Sequence, residues 1–125
     1  MIKILLILPC AGFFAWLGVM AMRFPGGLLG SYGIKVPTVD GFNEIRAVYG
    51  GLPLMWSALL FASLVRPELR TPVALSVAAA CVGMVAGRLA SAGIDQSLGR
   101  MPTIFLGIEA VVAAALIASA LVKSA

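Results

Sequence analysis

Five residues of this chain carry charge or strong hydrogen-bonding capacity where an apolar sequence has no ordinary use for it. Asn43, Glu44 and Arg46 stand at the mouth of an apolar run that reaches Val65, and Arg88 and Glu109 interrupt two other runs. An arginine fork and a carboxylate at matched depth suit a bidentate ion pair. A protonatable Glu109 near two arginines would also equip the chain to bind an ion or amphiphile and to couple its passage to pH. Nucleophilic catalysis has no such support. There is no Ser/His/Asp or Cys/His set, and a carboxylate paired with arginine is a poor general acid. No enzymatic role is expected.

Cofactor chemistry is equally constrained. The 125 residues include no histidine, which excludes imidazole-held haem, pigment or metal within the chain. The two cysteines, Cys10 and Cys81, each lie inside an apolar run and form no CxxC or Cys cluster. Both read as small buried hydrophobes. No metal and no cofactor are expected, and the one ligand the composition invites is a bound lipid.

These residues need elements to position them, and the solvent decides which elements. The chain is 62% hydrophobic and 11% charged, with mean hydropathy +1.08. A soluble domain would carry about 25% charge, so the polar surface here is too small to cover a water-soluble globule. Four crossings of about 20 residues nearly exhaust the length. The expected fold is all-α: an integral membrane four-helix bundle forming one domain over residues 1–125. The nine basic residues are scattered singly, without the interleaved aromatics of a nucleic-acid surface, so nucleic-acid binding is not expected.

Helices are expected over about 2–22, 43–65, 72–92 and 102–122. The first is uncharged between Lys3 and Arg23 and lacks the cleavage site of a secretory signal, so it reads as retained. Residues 23–42 are rich in Gly and Pro yet keep Phe24, Leu28, Tyr32 and Phe42. They should form a long ordered loop folded over one end of the bundle. Asp40 or Asn43 should cap the second helix, and Pro53 should bend it near Tyr49 and Gly50. The short, charged Arg66–Arg70 link makes helices two and three antiparallel neighbours, and Thr71-Pro72 reads as the start of helix three. Along that helix Ser76, Ala79, Gly83 and Gly87 form a small-residue ridge that admits another backbone. In a four-helix bundle that backbone is expected to belong to the same chain, although spacing alone leaves a second chain open. Lys123 closes helix four near the negative end of its dipole.

Arg88 lies some 9–10 Å below one surface and Glu109 at a similar depth, taking roughly 1.5 Å per residue, so the two should face each other. Asn43, Arg46, Gly50 and Ser57 fall on a common face of helix two. The expected site is a polar nest of Asn43, Glu44, Arg46, Tyr49, Arg88 and Glu109, roofed by the long loop. Two readings of the nest stand side by side: a charge network that fixes helix register, and a binding site.

The stretch Asn43-Glu44-Ile45-Arg46-Ala47-Val48-Tyr49-Gly50-Gly51, followed by Arg66-Pro67-Glu68-Leu69-Arg70, Gly87-Arg88 and Glu109, resembles the small four-helix bacterial membrane family catalogued as domain of unknown function 4345. The resemblance covers most of the chain. It implies the same architecture and groups Asn43, Glu44, Arg46, Arg88 and Glu109 as a polar signature, but it implies no activity.

The functional expectation is a small polytopic protein of the bacterial inner (cytoplasmic) membrane. The excess of Lys3, Arg66, Arg70 and Lys123 on one side places both termini in the cytoplasm. Small size, minimal loops and the glycine ridge favour an accessory or scaffolding subunit, with membrane lipids and other integral membrane proteins as partners. The alternative is a small transporter or amphiphile- or ion-binding protein that uses the buried Arg/Glu nest.

Overall fold

Thr38 sets the start of the second span. Its backbone is extended, and its hydroxyl accepts the Gly41 N–H at 3.1 Å. That cap begins the helix at Val39, ahead of the expected Asp40 or Asn43, and leaves Asp40 in the first turn, where the dipole favours it. The computed structural model describes residues 1–122, and no strand occurs among them. Its elements are α1 (Ile2–Arg23), α2 (Pro25–Gly30), α3 (Val39–Ile45), a π-helical turn (Arg46–Gly51), α4 (Leu52–Val65), a 3₁₀ turn (Pro67–Leu69), α5 (Arg70–Asp95) and α6 (Arg100–Leu121). The expected Lys123 helix end lies outside the described residues.

Four helical segments among the described residues are long and apolar enough to cross a membrane: Ile2–Arg23, Val39–Val65, Pro67–Asp95 and Arg100–Leu121. Large side chains such as Leu5, Trp16, Met55, Phe61, Val82 and Val111 are exposed on their outer surfaces. That distribution suits a surface solvated by lipid rather than water.

Local chemistry explains each departure from the expected boundaries. The π turn ends two residues before Pro53, which has no N–H to donate back to Tyr49. A wider turn there relieves the clash that proline imposes on an α register. The 3₁₀ turn feeds directly into α5, so the helix begins at Arg70 and Thr71 does not cap it. Pro72 then occupies the third helical position, where an N–H would have no partner in the helix. Pro102 sits at the same position of α6, which starts at Arg100 after an extended Gly99. At the other end of this turn, Gln96 adopts a left-handed conformation (φ 51°) and stops α5.

The bundle is built from two close pairs. α1 packs along α4, and α5 along α6; α1 also meets α6, and α4 touches α5 much less. Consecutive α4 and α5 are therefore neighbours only loosely. Within the first pair, Ser57 donates to the Ala11 carbonyl at 2.9 Å, Gly50 opposes Gly18, and Arg46 reaches Met22. One number falls as the other climbs, so the two helices run antiparallel. The core joins Ile7, Cys10 and Phe14 of α1 to Leu60 of α4, Val77 and Cys81 of α5, and Leu116 of α6.

The closest helix approach is not where the ridge on α5 predicts it. A Cβ on Gly18 would lie 2.6 Å from Leu54 Cγ and 2.8 Å from the Gly50 carbonyl oxygen, and one on Gly50 would lie 2.7 Å from Met22 Sδ. Ser76, Ala79, Gly83 and Gly87 are all exposed, and among the described residues a Cβ on either of these glycines meets nothing within 4 Å. The expected internal contact is corrected: α5 turns Ala74, Val77, Ala78 and Cys81 inward, which places the ridge on its opposite face.

Candidate functional site

Arg88 stands seven residues before the end of α5, and Glu109 nine residues after the start of α6. The short turn between these helices brings the two side chains to adjacent levels. Arg88 Nε donates to Glu109 Oε2 and Nη2 donates to Oε1, each at 2.7 Å. The Glu109 side chain is 7% exposed and that of Arg88 23%. This is a fork-to-fork pair in which each carboxylate oxygen receives one charge-assisted bond. Burying either group without the other would be costly.

Aromatic side chains complete the surroundings. Phe105 precedes Glu109 by one turn on α6, and the Arg88 guanidinium carbon lies 5.7 Å from its ring centroid. Tyr32, in the loop after α2, packs a tilted ring against Phe105 with centroids 5.9 Å apart. Burial pushes the Tyr32 phenol above its usual value, and the positive charge of Arg88 pulls in the opposite direction. The long loop thus reaches the site through Tyr32.

Two spaces flank the pair. On the inner side lies a cavity of about 220 Å³, walled by Phe14, Leu17, Trp56, Phe105 and Val112, with Glu109 on its lining. On the outer side lies a polar cleft of about 550 Å³ that contains Arg88, Ser91, Asp95 and Ser97. Tyr49 and Met84 line both and stand at the boundary between them. Glu109 faces the apolar space and Arg88 the polar one.

The structure divides the six residues expected in the nest. Arg88 and Glu109 are joined, and Tyr49 lies beside them. Asn43 and Glu44 are exposed and make no side-chain hydrogen bond among the described residues. Arg46 instead donates from Nε to the Met22 carbonyl at 3.1 Å, which satisfies an acceptor in the last turn of α1. The physical reason is the face they share. Arg46, Gly50 and Ser57 do lie together, but that face is occupied by α1, so it cannot also meet α5 and α6.

Two contributors, Phe105 and Tyr32, are absent from the expected nest, and one further unforeseen polar contact lies at the far end of α5. Phe105 could have been found from its spacing, because it lies four residues before Glu109 on the same helix face. Tyr32 gives no such signal inside a glycine-rich loop. Arg70, expected only as a loop charge, donates to the Ser63 carbonyl at 3.1 Å and the Leu64 carbonyl at 2.9 Å, closing the end of α4.

Cys10 and Cys81 are free and buried, and no cluster of three or more metal-ligating side chains occurs among the described residues. Comparison with known proteins finds no matching curated protein and no matching solved structure. A family model does match, over residues 1–120, nearly the whole chain. By that match, and with four apolar helices in place, the chain belongs to the family described as "Domain of unknown function (DUF4345)".

Proposed function

We propose that this protein is an accessory or scaffolding subunit that packs through α5 against another integral protein of the bacterial inner membrane, with both termini in the cytoplasm. The observation that carries the reading is the outward ridge of Ser76, Ala79, Gly83 and Gly87. Helices in lipid associate by close backbone packing, and small residues permit it. A helix-interior glycine costs about 1 kcal/mol relative to alanine, and among the described residues nothing lies within 4 Å of a Cβ placed on Gly83 or Gly87. A partner helix would use it. Native mass spectrometry after gentle extraction tests the reading. A stoichiometric partner should accompany the protein and be lost in Gly83→Leu. A lone monomer in mild detergent would sink it.

A second reading is a small transporter or amphiphile- or ion-binding protein. It is favoured by one observation: Glu109 lines a largely apolar cavity while its partner Arg88 lines a separate, more polar cleft. Glu109→Gln removes the protonatable group. A transport or binding phenotype that survives this change intact would rule the reading out.

A further inference from the structure

The cavity beside Glu109 has properties that narrow what it can hold. Its volume of about 220 Å³ exceeds the ~150 Å³ engineered cavity that accommodates benzene. That is room for two fused rings rather than one. Its walls include Phe14, Trp56 and Phe105, on three different helices, with Phe14 and Trp56 set edge to face at 5.2 Å. Aromatic walls favour a flat guest that can stack on or abut them.

Glu109 specifies the polar end of such a guest. A carboxylate offers about four lone-pair sites, and Arg88 takes one on each oxygen. The remaining sites accept only, so the guest must donate a hydrogen bond. The pair is neutral overall, so it confers no net preference for a charged guest, and a mostly apolar cavity disfavours one. A hydroxyl meets both requirements. An anion would meet a carboxylate, and a cation would compete with a bidentate arginine already in place.

We infer that this cavity is a binding site for a neutral, flat molecule of about two fused rings that bears one hydroxyl group donated to Glu109. The inference deepens the amphiphile-binding reading and is independent of any partner on α5. Met84, which is unbranched and flexible, and Tyr49 line both the cavity and the polar cleft, so a guest passing between the two must move past them.

Trp56 makes the site readable. The chain has two tryptophans, and Trp16 is exposed on the outer surface of α1, so Trp16→Phe leaves Trp56 as the only indole. This variant, in lipid nanodiscs, is titrated with 6-bromo-2-naphthol, with 2-bromonaphthalene, and with a bromoalkyl alcohol that has a hydroxyl but no ring. The expected result is saturable quenching of Trp56 by the naphthol, at least tenfold tighter than by the naphthalene, as a charge-assisted hydrogen bond provides. Filling the cavity by Val112→Phe, or from another helix by Leu17→Phe, should abolish saturation. Equal, non-saturating quenching by all probes, unchanged in the filled variants, would mean partition into lipid and overturn both the inference and the amphiphile-binding reading. Saturable, cavity-dependent quenching by the bromoalkyl alcohol alone would overturn the ring specificity and leave that reading standing.

Discussion

Arg88 grips both oxygens of Glu109 across the α5–α6 interface while Phe105 lies under the guanidinium. Removing one partner strands the other in a poorly solvated site. Glu109→Gln should therefore destabilise the fold by on the order of 3 kcal/mol, the lower part of the range for a broken buried pair because Arg88 is partly exposed. The double replacement Arg88→Met with Glu109→Leu should recover most of that loss. Unfolding in mixed micelles measures all three. Equal stability of Glu109→Gln and the natural protein would show that the pair does not support the fold.

Gly18 is expected to be the least replaceable glycine. Alanine there meets Leu54 and, more seriously, the backbone oxygen of Gly50. At Gly50 the obstacle is the flexible Met22 side chain, which can move aside. Gly18→Ala should cost about 1–3 kcal/mol as an overpacked contact, Gly50→Ala less, and Gly83→Ala should stabilise the isolated protein by up to about 1 kcal/mol. A reversed order in melting temperatures would contradict the packing described for α1 and the π turn.

Arg70→Ala should loosen the end of α4 by about 1–2 kcal/mol, since two carbonyls lose a charged donor. Lysine should restore only part, because it cannot span both acceptors with a planar fork. Hydrogen exchange at the last turn of α4 reads the effect locally. Protection unchanged in Arg70→Ala would mean that water replaces the arginine without loss.

The Tyr32 phenol should titrate above its ordinary value of 10.0. Alkaline absorbance titration of Tyr49→Phe isolates it, since the chain has two tyrosines. The folded state retains the proton longer than the unfolded chain does. Stability therefore falls as pH rises from about 10 toward the raised folded value. Replacing Phe105 with alanine should bring the titration back toward the ordinary value by opening the phenol to water. An ordinary value in the natural protein would mean that the loop does not rest on Phe105.

What could be read from the amino acids follows from where alternatives ran out. Two opposite charges in the apolar runs of consecutive helices had little choice but each other, so the Arg88–Glu109 pairing was legible in the amino acids alone. The common face of Arg46, Gly50 and Ser57 was accessible for the same reason that any helical spacing is. Its neighbour was not, because periodicity says which residues share a side and nothing about what lies opposite. The ridge on α5 failed identically: Gly83 and Gly87 do line up, but they point outward. Helix starts depended on single hydroxyl and imide groups, at Thr38, Pro67 and Pro72, whose roles hinge on a residue or two of register. Tyr32 was hidden because its contact with Phe105 joins a loop to a helix more than 70 positions away.

Arg70 belongs to two stages in the life of the chain. On the reading proposed above, in which the chain sits in a bilayer, the side chain would be a free positive charge before the α4 helix end forms, and would bias which side of the bilayer its loop occupies. Once folded, the same charge is engaged by the carbonyls of Ser63 and Leu64. On that reading, topology and stability draw on one residue in succession. A substitution there would produce two kinds of defective molecule, some wrongly oriented and some correctly oriented but frayed, and only the second kind would respond to a stabilising change elsewhere in the bundle.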